Sequence, residues 1–277
     1  MNPTDARVLL RQWGIRPSKR LGQHFLVDRE VIADVERVVA RERGDVIVEI
    51  GPGFGAITEV LLRHASHVLA IETDRRLVTL LEQRLGGNDG LQIRCEDVLT
   101  FDFTEELGSH PAYVVGSLPY RLTAPILRRL VEHRGVLSGA LLITQREVAE
   151  KLIASPGKNG SSLGVFVNAY GQIDLVRQIG RASFFPIPEV DSTMWTLSFL
   201  ERPRFSADAQ TFFGVVRALY GVRRKMIRRA LRNVIARDTV EEVLAAARID
   251  GSVRGETLTF DELDALARAV EANPRHA

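Results

Sequence analysis

Short apolar runs alternate with stretches of helical spacing through the first 150 or so residues, and this alternation limits the chain to few folds. Val46–Ile50, Val68–Ile71, Leu91–Cys95, Tyr113–Gly116 and Ala140–Thr144 are brief, apolar and bounded by turn formers, so they read as buried strands. Between them, Thr58–His64, Arg75–Leu85, Ala124–His133 and Arg146–Ile153 carry the spacing of helices. A strand joined to its parallel neighbour needs a crossover about as long as a helix, so the pattern implies a parallel sheet with helices on both faces. Ile173–Ile179 and Thr193–Phe199 add two more strands, and Thr193-Met194-Trp195-Thr196-Leu197 alternates as an antiparallel strand with one wetter face would. The expected fold class is α/β, Rossmann-like, with a mainly parallel seven-stranded sheet.

Near Glu201-Arg202-Pro203-Arg204 the character changes, and Ala207–Leu219, Arg223–Ile235, Thr239–Ala247 and Phe260–Val270 all read as helices. A boundary is expected near residue 201, giving domains 1–201 and 202–277, the second small and all-α. Asp261, Glu262 and Asp264 suit the cap and dipole end of the last helix. The one cysteine, Cys95, excludes an internal disulfide framework and any multi-cysteine metal site; at a strand end it is expected to be a small buried hydrophobe. No apolar stretch approaches the ~20 residues that span a bilayer. With no signal-like segment either, a soluble cytoplasmic protein is expected.

Proline at 119 ends the fourth strand, because it lacks an N–H and fixes its φ. Ser117-Leu118-Pro119-Tyr120 thus leaves the sheet carrying backbone carbonyls, a hydroxyl and an aromatic ring. Such a corner suits a flat ligand bearing an exocyclic amine. Glu49-Ile50-Gly51-Pro52-Gly53-Phe54-Gly55 follows the first strand and opens a helix, and with Ala56 it also fits the dinucleotide pattern G-x-G-x-x-A. Glu72 ends the second strand about 20 residues later, placed to accept the hydroxyls of a ribose. Asp97 follows the third strand, where it can accept from an adenine amino group. Ligands of open α/β sheets bind beyond the carboxyl ends of strands, so Gly51, Glu72, Asp97 and Ser117 share one rim. A nicotinamide enzyme has no use for Asp97 beside a Pro-Tyr corner, so the set favours S-adenosylmethionine.

Several stretches resemble the ribosomal RNA adenine dimethyltransferase family, in order, over about residues 7 to 270. They are Lys19-Arg20-Leu21-Gly22-Gln23-His24-Phe25-Leu26, Glu49–Gly55, Ile71-Glu72, Glu96-Asp97, Phe184-Phe185-Pro186-Ile187-Pro188-Glu189-Val190-Asp191-Ser192 and Arg223-Arg224-Lys225. The likeness is greatest to the branch acting on the small-subunit RNA. It implies a methyltransferase domain in which His24 and Leu26 close over S-adenosylmethionine, Gly51 approaches its amino-acid or sugar portion, Glu72 its ribose and Asp97 its adenine. By the same resemblance, Tyr120 and Phe184 hold the target base, and Ser117 with Leu118 receives its amino group. Ser117 stands where the family usually has Asn. No metal is implied. The substrate implied is rRNA in the small ribosomal subunit or its precursor, dimethylated at N6 of two adjacent adenosines in the 3′-terminal hairpin, by a monomer.

Charge adds a nucleic-acid surface. Ala209 to Arg237 holds no Asp or Glu, while Arg217, Arg223, Arg224, Lys225, Arg228, Arg229, Arg232 and Arg237 occur there. Arg224, Arg228 and Arg232 would line one helical face and track phosphates. Competing readings are a large-subunit rRNA methylase of the macrolide-resistance type, an assembly factor with weakened chemistry, and a nicotinamide oxidoreductase. S-adenosylmethionine at about 100 times its Kd is expected to stabilise the protein by about 2.7 kcal/mol, raising its melting temperature by several degrees. NAD at the same concentration is expected to leave it unchanged; the reverse result in a thermal-shift titration would select the oxidoreductase.

Overall fold

A computed structural model describes residues 3–42, 45–222 and 225–273. In chain order the first elements are α1 (Pro3–Gln12), β1 (Phe25–Leu26), α2 (Arg29–Val39), β2 (Val46–Ile50), α3 (Thr58–Leu61), β3 (His67–Ile71), α4 (Arg75–Leu85), β4 (Leu91–Arg94) and α5 (Phe103–Leu107). They continue with β5 (Ala112–Ser117), α6 (Thr123–Glu132), β6 (Leu137–Gln145), α7 (Arg146–Ile153), α8 (Ser162–Tyr170), β7 (Gly171–Ile179), β8 (Phe184–Phe185) and β9 (Ser192–Phe199). Helices α9 (Ala209–Gly221), α10 (Ile227–Leu231), α11 (Val240–Ala247) and α12 (Phe260–Glu271) end the chain.

Seven strands form one sheet in the order β4-β3-β2-β5-β6-β9-β7. The pairs β3–β4, β2–β3, β2–β5 and β5–β6 are parallel, and β9 runs antiparallel to β6. The fold is therefore α/β with a mostly parallel sheet. The central strands are apolar on both faces because helices cover both. β9 has the expected wetter face only in its second half: Thr193, Met194, Trp195 and Leu197 are buried, whereas Thr196 is half-buried and Ser198 exposed. It lies inside the sheet between β6 and β7, and Trp195 Nε1 donates to Thr144 Oγ1 at 3.0 Å. Cys95 is also a correction, since it is exposed rather than buried. It follows β4, which is an edge strand paired on one side only.

The described residues fall into two compact units, those of 3–149 with 174–199, and those of 150–173 with 200–273. The division differs from the single boundary at 201, because 150–173 belongs with the later helices. Apolar α8 explains this: its Val165 and Ala169 are buried in one cluster with Phe212, Val216, Leu219, Leu231 and Leu266. Beside them Phe166, Tyr170, Phe205, Phe212 and Phe213 stack edge and face, with Phe205 and Phe212 rings 4.4 Å apart. Sequence spacing alone missed α1, α2, α5 and α8.

Two further expectations for the helical unit change. A continuous helix Arg223–Ile235 does not form: α9 ends at Gly221 and α10 covers only Ile227–Leu231, with Arg232 as its C-cap. Arg223 and Arg224 lie outside the described residues. Arg228 forks onto Glu241 of α11, its Nη2 donating at 3.1 Å, so part of the cationic stripe is already neutralised. Asp264 is not at a helix end electrostatically either, since it accepts from Ser206 N at 2.7 Å, Ser206 Oγ at 2.8 Å and Ala207 N at 2.9 Å. The cap of α12 is Thr259, in a reciprocal box with Glu262. Among the described residues no helix is long and apolar enough to cross a membrane. Thr259→Ala is expected to cost about 1 kcal/mol in urea or thermal unfolding, and Asp261→Asn less than half of that.

Candidate active site

The strand order reverses between β3 and β5 on either side of β2, and the carboxyl ends of these strands open into a cleft. The cleft holds about 880 Å³ of empty space, its solvent-open mouth included. His24, Leu26, Gly51, Glu72, Asp97 and Ser117, all marked by the sequence, line it. Pairing explains their convergence. Ile50 is level with Ile71 on β3 and with Gly116 on β5, so Gly51, Glu72 and Ser117 each follow at one height.

Gly51 has φ +69, and a Cβ built there would meet nothing within 4 Å. The turn therefore needs glycine for its conformation, and it leaves open space where a ligand backbone could lie against the chain. Glu72 is buried, with Oε1 accepting from Asp74 N at 2.9 Å and Oε2 from Gly53 N at a long 3.4 Å. Burial raises its pKa. Asp97 is exposed, and its Oδ1 accepts from Leu99 N at 2.9 Å; its other oxygen has no partner among the described residues. A nucleoside with a ribose diol and an amino-bearing base matches these acceptors and the glycine gap, so the residues present fit S-adenosylmethionine.

At the Pro119 corner, the Ser117 hydroxyl and the Leu118 carbonyl have no hydrogen-bond partner among the described residues. Pro119 O accepts from Leu122 N at 2.9 Å and Thr123 Oγ1 at 3.3 Å, which starts α6. Tyr120 is half-buried. Burial raises its pKa. His24 stacks on the Tyr120 ring, with centroids 5.8 Å apart and planes 19° apart. The His24 Nδ1 also bonds Pro186 O at 2.7 Å, tying the arm, the corner and the Phe184–Ser192 loop together.

Phe184 is the site residue that the structure moves. It is 2% exposed, pairs with Leu26 across β1 and β8, and packs with Val31, Val35, Ile47 and Tyr113. Strand alternation turns it into the core, so it supports the wall and offers no face to a base. Phe185 is the partly exposed ring of the pair.

Residues to which the motifs assign no role fasten the site. Gln23 Oε1 accepts from Ser18 N at 2.7 Å, and its Nε2 donates to Asp74 Oδ2 at 2.9 Å, latching the arm to the start of α4. Asp74 also holds Arg76, through Nη2 at 2.6 Å; these bonds, Arg76 first, keep its pKa low against burial. Glu49 lines the cleft from β2, fully enclosed, with Thr58 Oγ1 donating to it at 2.6 Å. Burial pushes its pKa up to about 8, helped by the nearby Glu72 charge. The only hint in the sequence was an acid inside an apolar strand.

Comparison with known proteins places this geometry. Residues 15–267 match the family model described as ribosomal RNA adenine dimethylase. A ribosomal RNA small subunit methyltransferase A from Moorella thermoacetica is 38% identical, over 97% of this chain and 98% of its own. The protein of the same name from Geobacter metallireducens is 36% identical, over 95% and 98%. Among solved structures, the 23S rRNA methyltransferase ErmE aligns with a TM-score of 0.71 at 26% identity, covering 89% of this chain and 99% of its own. A dimethyladenosine transferase from Plasmodium falciparum shares the fold, with a TM-score of 0.76 at 20% identity over 91% of this chain and 99% of its own.

The enclosed Glu49 carboxyl leads to a pH prediction. Its folded pKa near 8 lies above the ordinary 4.5, so its contribution to stability is complete below about pH 4.5 and is lost as pH rises to 8. Glu49→Gln keeps the neutral shape and has no charge to bury. The variant is expected to match the wild type at pH 4.5 and to become progressively more stable than it up to pH 8. Parallel stability curves in denaturant titrations across that range would show that Glu49 is not protonated in the folded protein.

Proposed function

This chain belongs to the ribosomal RNA adenine dimethylase family, and on that premise we propose that it dimethylates N6 of two adjacent adenosines in the 3′-terminal hairpin of small-subunit (16S) rRNA, using S-adenosylmethionine. The observation that carries the reading is the convergence of Gly51, Glu72, Asp97 and Ser117 on one cleft whose edge is the unsatisfied Ser117–Leu118 corner. Bound S-adenosylmethionine supplies an electrophilic methyl group. Glu72 accepts the ribose hydroxyls, Asp97 accepts from the cofactor's adenine amine, and Leu26 with His24 covers the apolar side.

The target adenine leaves its stack to reach the corner, at a cost of a few kcal/mol. Tyr120, held by His24, gives back about 1–3 kcal/mol by stacking. Adenine N6 is a weak nucleophile because its lone pair is delocalised into the ring. The Leu118 carbonyl and Ser117 hydroxyl accept from its N–H groups, favour a pyramidal nitrogen and stabilise the positive charge that develops there. No strong base is needed, since that charge makes the N–H acidic. Positioning carries most of the effect. The protein works in the cytoplasm as a monomer on the immature small subunit.

An assembly factor with weakened chemistry would share this fold, and Ser117 is the residue that separates the readings. Purified protein is expected to transfer labelled methyl groups to immature small subunits, with label mapping to two adjacent adenosines. Ser117→Ala is expected to lower the rate about tenfold, the worth of one hydrogen bond, and Tyr120→Ala by about 10- to 100-fold. Ser117→Asn is expected to stay within tenfold of wild type. A wild type without transfer, or one accelerated a hundredfold by Ser117→Asn, would favour the assembly factor.

A further inference from the structure

Arg7, Arg11 and Arg16 surround Phe185 in a hollow distinct from the cleft of Gly51 and Glu72, and no acidic side chain lines it. The hollow is built rather than incidental. α1 buries Ala6 and Leu10 against Phe25, Phe54, Leu77 and Leu80, which fixes the helix and presents Arg7 and Arg11, one turn apart, on one side. The helix then ends in a Schellman turn: Ile15 N donates to Leu10 O at 2.8 Å and Gly14 N to Arg11 O at 3.0 Å, with Gly14 at φ +62. Ile15, buried beyond it, locks the turn, and the chain brings Arg16 back to the same hollow. The Arg7 guanidinium lies 5.4 Å from the centre of the Phe185 ring. Three cations facing one concavity repel each other, and an anion seated there relieves the repulsion.

The hollow adjoins the catalytic corner through single residues. Phe185 pairs with Phe25, which lines the cleft, and the next residue, Pro186, holds His24 against Tyr120. We propose that the hollow docks the backbone phosphate of the RNA nucleotide flanking the target adenosine, with the guanidinium forks of Arg11 and Arg16 on the phosphate oxygens and Arg7 with Phe185 packing its base. This rests on the RNA-methylating reading of the cleft. Guanidinium forks match phosphate geometry, and phosphate contacts set register without reading sequence. One docking site therefore serves both adjacent adenosines, each when it occupies the corner.

The test measures binding to immature small subunits across a salt series, with methylation rates, S-adenosylmethionine affinity and melting temperature. Arg7→Gln, Arg11→Gln and Arg16→Gln are made singly and together, and Arg41→Gln removes an exposed charge outside the hollow. The triple variant is expected to bind subunits at least tenfold more weakly, and its log–log salt slope is expected to fall by about 0.7, the worth of one single-strand phosphate contact, with Arg11→Gln and Arg16→Gln each giving part of that fall and Arg7→Gln none. Cofactor affinity and melting temperature stay at wild-type values, and Arg41→Gln changes nothing. Phe185→Leu raises KM for the subunit and leaves the salt slope intact. A triple variant with wild-type affinity and slope overturns the docking site alone, as does an equal loss in Arg41→Gln. A wild type that neither binds nor methylates subunits overturns the enzyme reading together with it.

Discussion

The parallel pairing of β2 between β3 and β5 is the constraint on which the site depends. Ile50 is level with both Ile71 and Gly116, and Ile71 in turn with Arg94. The strands thus end almost flush, and the residues that follow them share a rim. Because successive side chains point to opposite faces, a one-residue slip of β3 would turn Glu72 away from the cleft. Apolar side chains on both faces of β2 prevent the slip, since any other register would send buried residues to the wrong layer. The packing of a strand without chemistry therefore decides where the chemistry can occur.

Around that rim the protein holds polar groups in an apolar setting and satisfies them unequally. Asp74 is fully engaged by Gln23 and Arg76, and it anchors the arm. Glu49 is enclosed and pushed toward its neutral form, with Thr58 as its partner. Glu72, Asp97, Ser117 and the Leu118 carbonyl keep acceptor capacity to spare. Asp97 is exposed and Ser117 half-buried, so their free acceptors stand open to the N–H and O–H groups of a ligand. The arm is held twice, by the Gln23 latch and by the β1–β8 pairing, so His24 and Leu26 reach the cleft already placed.

The arginines show the limit of counting charges along a chain. The acid-free window from Ala209 to Arg237 suggested one continuous cationic helix face, yet α9 stops at Gly221 and Arg228 pairs with Glu241 beyond the window. Arg7, Arg11 and Arg16 do not stand out as one cluster in the sequence, where Arg16 belongs with the basic stretch Arg16–Arg20 and a turn at Gly14 separates it from the other two. Folding neutralised part of one cluster and assembled the other.

Most of the sheet was legible because strand formation in a parallel sheet requires short runs buried on both faces, and such runs are visible in one dimension. Val46–Ile50 and Arg75–Leu85 have the expected limits for that reason, and Pro119 marked the corner by its own covalent geometry. The rim acids followed from strand ends and spacing. The sequence by itself thus determined the fold class and which residues meet on one rim. Tertiary structure alone decided which way Phe184 faces, that Cys95 is exposed just past an edge strand, that burial raises the pKa of Glu49, that residues 150–173 join the helical unit, and that three arginines share one hollow. These depend on which side of an element meets which neighbour, and burial and charge pairing are properties of contacts between distant parts of the chain.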